Sequence, residues 1–232
     1  MNKMHRLFCF FCVCLLSPYA NAQSLFDDFN ASSVNGSLWN VILPFGQSSI
    51  SESGGFLTTT GRGTLATVAG FDSPLTISGN VTLNNQNEHF YTILRTDLSL
   101  WPAGASYHEI TGIVVGFSAD ANQISIGQLT AGQDNPIFLA LGSFNFTVGQ
   151  AYNFEITDDK TTVTLAINGT ELLSGSSTFA SGNLIGFSSR EFGDTSSSLD
   201  FVSIQPVPEP STVAMFGVGI LALLGMRKSK AI

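Results

Sequence analysis

With 232 residues the chain is long enough for one sizeable domain, and only 11% of its residues are charged against about 25% in ordinary soluble proteins. Seventeen acids against nine Lys and Arg exclude a nucleic-acid binder, which needs clustered cations to neutralise phosphate. An apolar content of 44% excludes disorder, and the lack of long Glu/Lys/Ala-rich stretches excludes a helical bundle, so an exported, mostly β protein is expected.

Residues 1–22 have the form of a secretory signal peptide. Lys3, His5 and Arg6 make a basic start, Leu7 to Leu16 an apolar run, and Ala20-Asn21-Ala22 a small-x-small site for signal peptidase. The run is shorter than the roughly 20 residues of a spanning helix. Cys9, Cys12 and Cys14 all lie inside this segment, so cleavage before Gln23 leaves neither a disulfide framework nor a thiolate site.

Residues 23–206 read as one β domain. Predicted strands cover Trp39 to Leu43, Phe56 to Thr60, Thr64 to Ala69, Leu75 to Leu83, Phe90 to Thr96, Ile110 to Ser118 and Gln123 to Leu129. Alternation is clearest in Tyr152 to Ile156 and Val163 to Ile167, joined through Asp158-Asp159. Asn168-Gly169 then predicts a type I′ hairpin into Leu172-Leu173, and Leu184 to Ser188 and Leu199 to Ile204 complete the set. The domain holds sixteen acids and four bases (Arg62, Arg95, Lys160, Arg190), a formal charge of −12 that repels anionic lipid and nucleic acid. Most of the 19 phenylalanines fall in strands, where they are expected to fill the space between two sheets. His108-Glu109 begins like a zinc-protease motif, but Gly112 stands where the second histidine belongs. His89 and His108 are the domain's only histidines, too few for a His-rich metal site, and neither a nucleophile elbow nor a phosphate loop is present.

At the C-terminus, Val207-Pro208-Glu209-Pro210-Ser211 precedes the apolar stretch Thr212 to Met226 and the cations Arg227, Lys228 and Lys230. Fifteen helical residues span about 23 Å, thin for a bilayer but workable with flanking cations that snorkel. Those cations are expected to stay cytoplasmic, which leaves the domain outside. The prolines of 205–210 predict an extended linker open to a protease. The order of Pro-Glu-Pro, apolar helix and basic tail resembles the PEP-CTERM sorting signal of Gram-negative bacteria. The resemblance implies recognition by a membrane exosortase and export in connection with exopolysaccharide and biofilm matrix. An ordinary tail anchor behind a Pro-rich linker is the alternative.

Phe26-Asp27-Asp28-Phe29-Asn30 with Ser37-Leu38-Trp39 looks like the opening strand and first tryptophan of family 16 glucanases, and on such segments the domain resembles the concanavalin A-like lectin/glucanase fold. Gly54-Gly55-Phe56-Leu57-Thr58 looks like their early Gly-x-Leu strand, and Leu199-Asp200-Phe201-Val202-Ser203-Ile204 like their closing strand. The hairpin Tyr152 to Leu173 is similar to laminin G-like members. The fold so implied is an all-β jelly-roll sandwich of two antiparallel sheets, between the signal peptide and the C-terminal transmembrane helix.

Family 16 hydrolases carry Glu-x-Asp-x-Glu on one strand, because period-2 geometry sets the three carboxylates on one face. This chain has no such motif; Glu155-Ile156-Thr157-Asp158-Asp159 is the nearest imitation. No catalytic residue is carried over, and a non-enzymatic role is expected. A hydrolase built from scattered carboxylates such as Glu88 and Glu109 is the alternative, since a retaining pair stands about 5–5.5 Å apart. The family's structural calcium would fall on Asp200, with main-chain oxygens at Asp27 and Gly55, a set of hard ligands suited to Ca²⁺. Sugar binding on the concave sheet points to His89, Tyr91, Arg95, Trp101, Tyr107 and His108. Tyr91 and Arg95 have an even separation, as do His89 and Tyr91, so all three are expected on one face. Trp101, in Trp101-Pro102-Ala103-Gly104, is either a stacking residue or a side chain folded back onto the rim. The expected function is non-catalytic polysaccharide binding by an exported protein; a structural matrix protein that binds its own copies is the first rival. Arg190-Glu191 is read as either a surface pair or a rim contact.

Overall fold

Strict alternation of inward apolar and outward polar side chains builds the longest strands, as in Leu75–Leu83, where every second residue is buried. The computed structural model describes residues 23–43, 48–61, 63–97, 111–130, 136–189 and 196–207. The chain opens with β1 (Leu25–Asp27), β2 (Trp39–Ile42), β3 (Ser49–Ser53), β4 (Phe56–Thr60) and β5 (Thr64–Thr67). Then come β6 (Leu75–Leu83), β7 (His89–Thr96), β8 (Gly112–Ser118), β9 (Gln123–Leu129) and β10 (Ile137–Ser143). The last five are β11 (Ala151–Asp158), β12 (Thr162–Ile167), β13 (Thr170–Ser176), β14 (Leu184–Ser189) and β15 (Ser196–Pro206). Asn168 and Gly169 both have positive φ (51° and 77°), as the expected type I′ hairpin between β12 and β13 requires.

The strands form two antiparallel sheets. One has the order β13-β12-β11-β6-β15-β4-β3 with β1 also on β15; the other has the order β10-β9-β8-β7-β14-β5-β2. Phenylalanines fill the space between them. Phe90 lies 5.8 Å from Phe117, 6.2 Å from Phe154 and 6.4 Å from Phe187, centroid to centroid. Trp39 packs edge-on against Phe187 at 6.0 Å and donates its indole N–H to Asp27 Oδ2 at 2.7 Å, so the buried ring keeps its polar atom satisfied. Gly79 makes this packing possible: a Cβ there would stand 2.7 Å from Phe154 Cζ and from the Phe201 carbonyl.

Two strands were not anticipated from sequence. β3 is Ser-Ile-Ser-Glu-Ser, with little apolar content to show a period. β10 is Ile-Phe-Leu-Ala-Leu-Gly-Ser, apolar at successive positions, and the extra residue Leu139 bulges it against β9. It ends its sheet, with Ile137, Phe138 and Leu141 each more than half exposed.

The register sets which segments share an end of the sandwich. Leu25 pairs with Ile204 and Pro206 with Leu75, and Val207 N–H donates to the Pro74 carbonyl at 2.9 Å. The first and last strands therefore leave the domain side by side. The other end holds Leu83, the start of β7 and the β8–β9 turn, where Ala119 N–H donates to the Glu88 carbonyl at 3.0 Å. Among the described residues no helix is long and apolar enough to cross a membrane. The predicted signal peptide with Ala20 and Ala22, and the tail with Pro208, Glu209, Pro210, Ser211, Arg227, Lys228 and Lys230, lie outside the described residues.

Candidate functional site

The outer face of the seven-stranded sheet divides into an apolar middle and a polar end. In the middle, Ala66, Ile93, Val114 and Leu129 form a small cluster, itself buried, with Ile42 and Tyr91 packed against it. Toward the start of β7 the rows become polar. One cross-strand row reads His89, Ser118, Gln123 and Ser143; the next reads Thr64, Ser188, Tyr91, Gly116, Ser125 and Leu141. Gly116 is what lets Tyr91 lie down on the sheet. A Cβ at that position would stand 2.8 Å from Tyr91 Cε1 and 2.7 Å from Ser125 Oγ.

His89 and Tyr91 do share this face, as their even spacing predicts. The Tyr91 hydroxyl is 3.4 Å from His89 Nδ1, and the two rings are 6.3 Å apart at 35°. His89 Nε2 meets Asp120 Oδ1 at 2.9 Å. Asp120 sits in the β8–β9 turn, where its carboxylate also accepts from the Ser118 hydroxyl and the Ala121 N–H. Partial burial opposes its charge, but the Ser118 hydrogen bond, His89 and the Ala121 N–H together hold its carboxyl below the ordinary aspartate value. Asp120, Ser118 and Gly116 were not named from sequence, since each owes its place to a cross-strand register rather than to any local pattern. Trp101, Tyr107 and His108, with Glu109, Arg190 and Glu191, lie outside the described residues.

Arg95 departs from the expectation. It has positive φ (53°), and a bulge at this point sets both Leu94 and Arg95 of β7 against Ile185 alone, because Ile93 pairs with Gly186 but Thr96 with Leu184. Period-2 counting fails across that extra residue, and the guanidinium turns away from Tyr91 toward Asp158 on the other sheet. Arg95 Nε donates to Asp158 Oδ2 at 2.9 Å and Nη2 to Asp158 Oδ1, while Nη1 donates to the Ser177 carbonyl (2.6 Å) and the Phe179 carbonyl (3.1 Å). Asp158 additionally accepts from the Ser73 hydroxyl at 2.6 Å and the Lys160 N–H at 2.9 Å. Its burial favours the neutral acid, yet Arg95, Ser73 and Lys160 outweigh that and keep the carboxyl below its ordinary value. Arg95 is thus a clamp between sheets.

β1 and β4 both pair with β15, which places the expected calcium residues Asp27, Gly55 and Asp200 on adjacent segments of one sheet. Asp200 lies on β15 between Leu199, which pairs with Leu57, and Val202, which pairs with Asp27. Gly55, at positive φ (83°), approaches the loop after β1, where Asn30 Oδ1 would be 3.1 Å from a Cβ on it. Asp27 uses its carboxylate on the Trp39 indole and the Phe29 N–H (3.0 Å). One carboxylate and two main-chain oxygens fit a hard cation in kind. Glu52 is buried nearby and accepts the Ala31 N–H at 2.6 Å. Desolvation, with Asp27 and Asp28 adding repulsion, raises its carboxyl above the ordinary value despite that hydrogen bond. Among the described residues no group of three or more His, Cys, Asp or Glu side chains could hold a metal.

The nearest imitation of a hydrolytic triad comes apart in three dimensions. Glu155 is exposed on the outer side of its sheet, Asp158 is buried against Arg95, and Asp159 caps the turn to β12 through the Thr161 and Thr162 N–H groups.

Comparison with known proteins agrees with both halves of this description. Residues 206–229 match the model of the PEP-CTERM protein-sorting motif, so the chain carries that signal at its C-terminus. No curated protein matches the sequence. Among solved structures, the β-glucanase of Bacillus licheniformis superposes with a TM-score of 0.60 at 11% identity, over 81% of this chain and 100% of that one. The carbohydrate-binding module CBM66 from Bacillus subtilis gives 0.57 at 12%, over 73% and 96%. The endo-β-1,3-glucanase of Pyrococcus furiosus gives 0.58 at 12%, over 78% and 93%. The domain is an all-β, concanavalin A-like jelly roll, a fold shared by enzymes and binding modules.

Proposed function

We propose that this chain is an exported surface or extracellular-matrix protein, sorted by exosortase, whose sandwich binds polysaccharide without cleaving it. The observation that carries the reading is the Tyr91 ring laid on Gly116, beside His89 and Asp120, on the outer face of a sheet in an exported jelly roll. A partly exposed aromatic flanked by fixed polar groups suits a sugar ring, whose apolar face stacks while its hydroxyls pair with planar donors and acceptors. Signal peptidase would release the N-terminus at Ala22, and residues 212–226 would hold the precursor in the inner membrane until the tail is processed. Exopolysaccharide is the partner class that fits this route.

The test is a panel of polysaccharides offered to residues 23–206, with binding and reducing-sugar release read together. Binding without release, lost in Tyr91→Ala, supports the reading; release from any polymer replaces it with a hydrolase. Calcium belongs to the same proposal, held by Asp200 and the carbonyls of Asp27 and Gly55. A chelator should lower the melting temperature, and an unchanged melt removes the ion. A second reading, a structural matrix protein, draws on β10, whose sheet edge is free of charge and exposes Phe138 and Leu141. Failure to bind any polymer together with concentration-dependent self-association would favour it.

A further inference from the structure

Both ends of the domain leave from one end of the sandwich, and the sorting signal begins inside the fold. The matched motif starts at residue 206, which is the last residue of β15, and Val207 is still bound to Pro74. Only residues 208–211 separate Val207 from the apolar stretch that begins at Thr212. Fully extended, that link reaches about 17 Å. Two of its four residues are proline, a residue whose ring fixes φ and limits the freedom of a linker. The nine residues of β6 run about 27 Å from Leu75, beside this exit, to Leu83 at the opposite end. A short, stiff link and a domain charge of −12 both oppose the sandwich lying flat on an anionic membrane.

We propose that the end of the sandwich holding Leu25, Asp72, Pro74 and Pro206 is the membrane-proximal end of the anchored precursor, so that His89 and Asp120 are presented away from the bilayer. The proposal rests on the reading that residues 212–226 sit in the membrane. The partner of the near end is the lipid surface itself, and the far end is the one free to meet polymer outside the cell.

The domain contains no cysteine, so single labelling sites are unambiguous. Precursor of residues 23–232 is made with a fluorophore at Asp72→Cys, on the near end, or at Gln150→Cys, next to Gly149, whose N–H donates to the Leu83 carbonyl. Both positions are exposed. A second pair, Gln205→Cys and Val148→Cys, repeats the comparison if either variant fails to fold. Each is reconstituted in phosphatidylcholine vesicles doped with a lipid bearing a headgroup nitroxide. The expected result is co-flotation with the vesicles and quenching several-fold stronger at residue 72 than at residue 150. Co-flotation with equal quenching, or with stronger quenching at 150, overturns the orientation alone. Absence of co-flotation removes the membrane anchor and this proposal with it.

Discussion

Replacing Arg95 with methionine is expected to be among the most damaging single substitutions in the domain. Arg95 and Asp158 are 7% and 1% exposed, so water cannot take over from a missing partner. Removing one member of such a buried pair costs about 3–5 kcal/mol, because the remaining carboxylate is left uncompensated. The Ser177 and Phe179 carbonyls lose their donor in the same step, which loosens the stretch from Ser177 to Gly182. For a domain of this size that corresponds to roughly 10 °C in melting temperature. Arg95→Lys should fall between, since it keeps the charge but not the fork that reaches Asp158 and two carbonyls at once. The double variant Arg95→Met, Asp158→Leu should recover more than half of the loss, because an apolar replacement of the whole pair is closer to neutral than a broken one. The pH dependence has a definite sign. Asp158 is held below its ordinary value, so its contribution is complete above the ordinary carboxylate range and is lost as pH falls through the depressed one. Wild type and the double variant should therefore converge in stability on acidification. Urea unfolding of residues 23–206 across pH measures all of this. A single variant within about 1 kcal/mol of wild type, or a double variant weaker than Arg95→Met, would refute the clamp.

Gly116→Ala should displace the Tyr91 ring, since the new methyl would stand 2.8 Å from Cε1; polysaccharide affinity should drop several-fold while the aromatic itself remains, as read by binding titration. Trp39→Phe removes the indole donor to the Asp27 carboxylate and some core volume, and is expected to cost about 2–4 kcal/mol in chemical unfolding. Glu52→Gln keeps an oxygen for the Ala31 N–H but removes a carboxylate whose value is raised in the fold. Wild type should gain stability as pH falls from neutral through that raised value, whereas the variant should be more stable near neutrality and lack the gain. Thermal melts at two pH values separate the outcomes.

The fold was legible where alternation is strict and the strand is flanked by turn residues. Leu75–Leu83, Gln123–Leu129 and Phe56–Thr60 occupy the ranges their patterns predict, and Asn168-Gly169 forms the turn its dipeptide demands. Legibility fails at bulges and edges. Counting by twos from Tyr91 to Arg95 places both on one face, but a single inserted residue reverses the second, and nothing local in Leu94-Arg95-Thr96 announces the insertion. β10 carries apolar residues on both faces because it lies at an edge with one side against β13, so its period is erased. The site shows the same division. His89 and Tyr91 can be placed together from spacing alone, whereas Asp120 joins them only because Ser118 pairs with His89, a register that belongs to the sheet and not to the segment.

Strand β15 also determines how the molecule bears load. It lies inside its sheet, with β6 along one side and β4 then β1 along the other, and the sorting motif begins at its last residue. A polymer gripped at the far end and a tether at Val207 would pull along the axis of this strand. Drag on the cell surface would then act on its cross-strand hydrogen bonds in shear, many at once, instead of peeling them one by one. In a domain with no disulfide to arrest extension, an anchor running out of an interior strand would make forced opening slow, and lifetime under tension would follow that rate rather than the equilibrium stability.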